Sequence, residues 1–167
     1  MSRVVIHGIY TSSGHNFFGH HGQEPGTHGI EEHESAELVA GKGIPGDRFF
    51  GWKDGYKGQV TFIDRGTIDI VRQHAENPDL ESSAFRRNVV ISGVNLNELV
   101  GKVFRIGGAL LEGTQKCAPC HWMDDACGKP GTEKLMFNRG GLRCKILESG
   151  TIRLGEMELE TLQESGV

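Results

Sequence analysis

The residues best suited to chemistry are Cys117-Ala118-Pro119-Cys120-His121. Two thiols three positions apart can face one point. That spacing allows a dithiol redox pair, half of a metal site, or one activated thiolate with a helper. Cys120 is the candidate nucleophile or ligand. His121, beside it, is the candidate for tuning its charge or moving a proton. The plain alternative is packing alone, since cysteine is among the most buried residue types. That alternative suits Cys117 better than Cys120. Cys127 and Cys144 stand apart and read as structural. No second short pair accompanies the first, which argues against a four-ligand structural zinc.

Histidine is the second candidate chemistry. Six of the eight histidines (His7, His15, His20, His21, His28 and His33) fall within the first 33 residues. Neutral imidazoles are common transition-metal ligands. His15, His20 and His21 are therefore candidate ligands, with Cys120, for a divalent transition metal. A solvated loop with incidental histidines explains them equally well, and their spacing matches no established metal motif.

The third chemistry is cationic. Arg48 follows Gly46-Asp47, Arg86 opens Arg86-Arg87-Asn88, and Arg139 lies in Asn138-Arg139-Gly140-Gly141. Arginines at strand ends and glycine turns suit bidentate grip on an oxyanion, helped by backbone N–H groups. Singly, each reads more readily as ordinary surface arginine; three such sites beside a thiol loop are less easily dismissed. The chain carries neither a P-loop nor a dinucleotide fingerprint.

Elements of the right kind must position these groups. Arg3–Tyr10 alternates as a first strand. Ser12–Gly29 is a long Gly/His/Pro loop, Leu38–Ala40 ends a second strand, and Lys42–Gly46 is a turn. Gln59–Ile63 is β-rich. Asp64 caps a helix carrying Ile68, Val71 and Ala75 on one face and ending at Asn77-Pro78. Asn88–Ile91 is a strand and Asn95–Leu99 a helical turn. Lys102–Ile106 and Ala109–Gln115 flank Gly107-Gly108 as a hairpin. Arg143–Leu147 is a strand, and Thr151–Leu154 with Met157–Leu162 reads as a final hairpin.

The 167 residues include 25 glycines, about twice the usual ~7%. Many short strands with glycine turns predict a mainly β (α+β) fold. Its expected form is a barrel-like single domain, 1–167, of mostly antiparallel strands with one or two helices. The net charge of −4 argues against nucleic acid. No run approaches the ~18 apolar residues needed to span a bilayer, and no secretory leader is evident, so the reading is cytoplasmic.

The ordered set of motifs resembles the MOSC domain, the C-terminal domain of molybdenum cofactor sulfurases. It comprises Gly43-Ile44-Pro45-Gly46-Asp47-Arg48, Gln59-Val60-Thr61, Arg86-Arg87-Asn88 with Val89-Val90-Ile91, and Gly101 through Leu111. Cys117-Ala118-Pro119-Cys120 and Gly150-Thr151-Ile152-Arg153-Leu154-Gly155-Glu156 complete it. The resemblance spans nearly the whole chain and implies a β-barrel-like fold. It implies a molybdenum cofactor (molybdopterin) held through Cys120, with Arg86 and Asn88 beside the pterin phosphate. Arg48, Gln59 and Arg139 complete the candidate cofactor-binding set. Nothing in it indicates pyridoxal phosphate.

Three functions follow as expectations. The first is sulfur transfer or related chemistry on a small anionic ligand, with Cys120 as thiolate, persulfide or cofactor ligand. The second is a molybdenum-cofactor-dependent reductase of N-hydroxylated compounds. The third is a non-catalytic carrier of cofactor or persulfide. The expected partners are the small anion or cofactor and a sulfur-donor or electron-donor protein.

Overall fold

Strand β1, Ser2–Ser12, shows how the sequence builds the interior. Val4 and Ile6 point inward on alternate positions. A bulge between Ile6 and Gly8 then shifts the alternation, so Ile9 and Thr11 are the inward residues beyond it. The computed structural model describes residues 2–13, 29–118 and 130–164. His15, His20, His21, His28, Cys120, His121 and Cys127 lie outside the described residues.

After β1 come β2 (Ile30–Glu32), β3 (Ser35–Leu38), β4 (Val60–Asp64) and helix α1 (Arg65–His74). A 3-10 turn, Ser82–Phe85, leads into β5 (Val89–Ser92), and a second, Leu96–Leu99, leads into β6 (Lys102–Ile106). Then follow β7 (Ala109–Lys116), short helix α2 (Thr132–Leu135), β8 (Leu142–Glu148), β9 (Gly150–Arg153) and β10 (Gly155–Glu164).

The strands close in the order β1-β10-β6-β7-β8-β4-β5 and back to β1, a seven-stranded barrel. β2 extends the far end of β1, and β3 pairs with β9 in a separate two-stranded ribbon. Every neighbouring pair is antiparallel except β4 with β5. A parallel pair needs a crossover, and α1 with the first 3-10 turn supplies it. The mainly β, barrel-like expectation is met.

The helix forms where its local signals place it. Asp64 Oδ1 accepts from the Gly66 N–H at 2.6 Å, and Ile68 and Val71 are buried. They pack with Phe85, Val90 and Met136 in a small cluster outside the barrel wall. The main core fills the barrel around Phe62 and Phe104, whose rings meet edge-on at 6.4 Å. Each such buried side chain contributes about 1.5–3 kcal/mol.

One expectation is corrected. Thr151–Leu154 and Met157–Leu162 do not form a hairpin. β9 pairs with β3, while β10 pairs with β6 and β1. Gly155, at φ 102°, turns the chain so that the two strands join different sheets. The Gly107-Gly108 hairpin is present, with both glycines in the left-handed region that primed turns require.

Candidate functional site

The end of β1 organises the site. The Ser12 N–H donates to Asp47 Oδ1 at 3.1 Å, and the Arg48 N–H donates to the Ser12 carbonyl at 2.7 Å. These two bonds clamp the turn around Asp47 against the barrel rim. On the other side, the 3-10 turn Ser82–Phe85 ends at Arg86, which takes a left-handed conformation at φ 60°. For a non-glycine residue this costs on the order of 1 kcal/mol or more. It sends the Arg86 guanidinium back to Ser12 Oγ, 3.2 Å away.

Arg48 and Arg86 thus share one narrow hollow, lined also by Tyr10, Ser12, Asp47 and Asn88. Its free volume is ≈ 10 Å³, room for about one water-sized group. The Arg48 guanidinium lies 4.6 Å from the Phe49 ring centre, and its Nε is buried without a hydrogen-bond partner. Burial pulls Arg48 down to about 10, with Arg86 and Arg87 adding repulsion and Asp47 opposing. Burial also lowers Arg86, again opposed by Asp47. Asp47 is the carboxylate that offsets the two lowered guanidiniums there.

Asn88 and Gln59 are tied into the fold. Asn88 Oδ1 accepts from Thr61 N–H at 3.0 Å and from Thr61 Oγ1 at 3.1 Å, while its Nδ2 donates to the Tyr10 carbonyl at 3.1 Å. It therefore staples β1, β4 and β5 at the hollow's edge. Gln59 is 3% exposed, and its Oε1 accepts from the Ile146 N–H at 2.8 Å. Arg139 is exposed and lines a different hollow, with Asp64, Asn97 and Gly141. Of the three sequence-predicted arginines, the structure brings two together.

Arg87 connects the hollow to the cysteine strand. Its Nε donates to the Gly140 carbonyl at 2.8 Å. The next residue, Gly141, accepts through its carbonyl from the Cys117 N–H at 2.8 Å. Gly141 sits at φ 114°, and an added Cβ would fall onto the Phe62 carbonyl. Cys117 is buried and lines a larger hollow of ≈ 980 Å³ with Lys116, Lys134, Phe137 and Asn138. Cys144 is wholly buried. Burial, with Cys117 and Glu112 adding to it, pushes its thiol well above the usual range and leaves it unreactive.

Sequence reading passed over Ser12, Asp47 and Arg87 as site residues. The motifs around Arg48 and Arg86 contained the last two, but nothing local marks Ser12. Among the described residues, no group of three or more His, Cys, Asp or Glu could hold a metal ion. None of the described helices is long and apolar enough to cross a membrane.

A closed β-barrel with an arginine-lined hollow at its rim is the class that fold and site define. The MOSC domain profile matches residues 20–157, and the chain belongs to the MOSC domain family, which is linked to molybdenum-cofactor-related proteins. Solved structures share the fold. The YUAD protein from Bacillus subtilis is 18% identical with a TM-score of 0.74, over 98% of this chain and 100% of that one. YiiM from Escherichia coli is 20% identical with a TM-score of 0.66, over 100% and 72% of the two chains. YiiM from Geobacillus stearothermophilus is 15% identical with a TM-score of 0.69, over 96% and 75%. No curated protein matches the chain.

Proposed function

We propose that this MOSC protein is a sulfur-transfer enzyme that seats the anionic end of a small ligand between Arg48 and Arg86 and uses Cys120 as the reactive thiolate. The carrying observation is the half-buried arginine pair, joined through Arg87 to the strand end that leads into the Cys117–Cys120 motif. In the transfer step the Cys120 thiolate attacks the outer sulfur of a donor persulfide. A new S–S bond forms at Cys120 as the donor's S–S bond breaks. The donor leaves as its thiolate, and His121 carries the accompanying proton, with no net oxidation.

The Arg48–Arg86 pair matches the phosphate end of a molybdenum cofactor in charge, and the buried Arg48 Nε has a donor to offer, while the ≈ 10 Å³ hollow admits only part of that group. Arg48 and Arg86 would hold that phosphate and Cys120 the metal. When bound, the cofactor supplies two-electron oxygen-atom chemistry, the basis of the reductase reading. As a carrier, the protein would use the same residues without turnover. A divalent metal would instead use His15, His20 and His21 with Cys120.

Two measurements separate these readings. Elemental analysis of protein from a cofactor-competent host reports molybdenum, another metal or neither. A persulfide donor and a thiol acceptor then report turnover, which Cys120→Ser should abolish. Sulfur transfer undiminished in Cys120→Ser removes the proposal. Molybdenum at one equivalent per chain, without sulfur turnover, transfers it to the reductase or carrier.

A further inference from the structure

Arg139 stands away from the Arg48–Arg86 hollow, and the proposed function leaves it unused. It lines a hollow of its own, of ≈ 180 Å³. Three pieces of chain build that hollow: the start of α1, the 3-10 turn Leu96–Leu99 and the turn 138–141. Gly141 brings the last against the first. Its backbone lies so close to β4 that an added Cβ would stand 3.5 Å from the Ile63 Cα, one residue before Asp64. Asn97 ties in the remaining piece, its Nδ2 donating to the Asn138 carbonyl at 3.0 Å. Asn95 Oδ1 in turn accepts from the Asn97 N–H at 3.1 Å. The walls are therefore set by the fold itself, before any ligand arrives.

Those walls carry one charge of each sign. Asp64 spends Oδ1 on capping α1, and its second oxygen accepts no hydrogen bond among the described residues. The Arg139 guanidinium makes one long bond, from Nη1 to the Leu135 carbonyl at 3.5 Å. The two residues line the same hollow, yet neither forms an ion pair with the other or with any other described residue. Thr67, in the first turn of α1, lines the hollow as well. It is only 7% exposed, and its hydroxyl has no hydrogen-bond partner among the described residues. A buried hydroxyl left this way is costly until a ligand or solvent engages it.

These groups select by charge. A simple anion meets the Asp64 carboxylate, and a simple cation meets Arg139, so half of the site opposes either one. A neutral polyol leaves both charges unanswered. A molecule that carries a carboxylate and an ammonium on one carbon answers both at once. Arg139 can grip the carboxylate with two parallel hydrogen bonds, helped by the Thr67 hydroxyl and the positive end of α1. Asp64 and the Asn97 amide oxygen can accept from the ammonium. At about 30 Å³ per water-sized group the hollow holds about six non-hydrogen atoms, the size of glycine, alanine or serine.

We infer that this hollow binds a small free α-amino acid, its carboxylate on Arg139 and Thr67 and its ammonium on Asp64. The inference is independent of the proposed sulfur chemistry and of the Arg48–Arg86 hollow.

Isothermal titration calorimetry of the intact protein tests it. The probes are glycine, alanine and serine, set against acetate and methylammonium, which carry one charge each, and glycerol, which carries none. At least one amino acid should bind saturably with a Kd of about 1 mM or tighter, and acetate and methylammonium at least about tenfold more weakly. Asp64→Asn keeps the helix cap, because asparagine caps as well as aspartate, and removes only the charge. It should lose at least about tenfold in amino-acid affinity, Arg139→Gln as much, and Thr67→Val about threefold or more. Circular dichroism confirms that each variant remains folded. Arg48→Met should bind the amino acid as wild type does, which separates this site from the arginine hollow. No binding of any of the three amino acids at about 10 mM overturns the inference. So does acetate held as tightly as glycine, which would make the hollow a plain anion site, or glycerol held more tightly than the amino acids. Binding indifferent to both Asp64→Asn and Arg139→Gln, or lost in Arg48→Met, equally overturns it.

Discussion

Replacing Arg48 by methionine should stabilise the protein while destroying its capacity for anions. The buried guanidinium is pulled down from the ordinary arginine range to about 10, chiefly by burial. At about 1.4 kcal/mol per tenfold, keeping that charge costs the ligand-free fold about 3 kcal/mol. Part of the group reaches solvent and it stacks on Phe49, so a net gain of about 1–3 kcal/mol is expected. Methionine fills a similar volume without a charge to desolvate. For a domain of this size the melting temperature should rise by about 2–10 °C. The sign with pH follows. The folded protein releases this proton near 10 and the unfolded chain only later, so stability rises as pH climbs through about 10. Arg48→Met should lose that rise. Wild type should also gain stability from inorganic phosphate or sulfate by mass action, and the variant should not. Thermal unfolding with and without phosphate reads both effects. If the variant melts below wild type in anion-free buffer, or gains equally from phosphate, the picture of a costly guanidinium that seats anions is wrong.

Other outcomes follow from the same structure. Asn88→Ala strands the Thr61 N–H and the Tyr10 carbonyl, and urea unfolding with an unchanged slope should show a loss of about 2–5 kcal/mol. Gly141→Ala forces a Cβ onto the Phe62 carbonyl at a positive φ; melting should fall by several degrees, and proteolysis after Cys117 should quicken. Cys144 should resist iodoacetamide at pH 8 in the native state and react fully in denaturant, read by peptide mass mapping.

The legible parts of the fold are those with local causes. Helix α1 begins at Asp64 because one side chain caps it, and its buried stripe repeats at helical spacing. The Gly107-Gly108 turn is similarly self-contained. Strand β2 was invisible for the opposite reason. Its residues, Ile30, Glu31 and Glu32, carry no strand pattern and are ordered by pairing with Tyr10 through Ser12. The false hairpin at the end of the sequence has the same origin: β9 and β10 look like neighbours locally, yet each finds its partner far along the chain. At the site, the arginines were readable as types but not as a pair. Nothing in the sequence around Arg86 signals its left-handed backbone, and that conformation aims it at Ser12. Gln59, Asn88 and Arg139 show the converse. Motif membership marks Gln59 and Asn88, and a glycine-turn context marks Arg139, while their hydrogen bonds and exposure depend on tertiary placement.

The barrel shuts where Ser2 through Ile6 meet Gly155 through Leu159, the earliest strand against the latest. Without β10 the sheet cannot close, and the edges of β1 and β6 that it covers are left unpaired. Slow translation or premature termination near residue 155 would expose those borders to other chains. Shortening the sequence from either side of that seam would unlatch the whole cylinder rather than trim it.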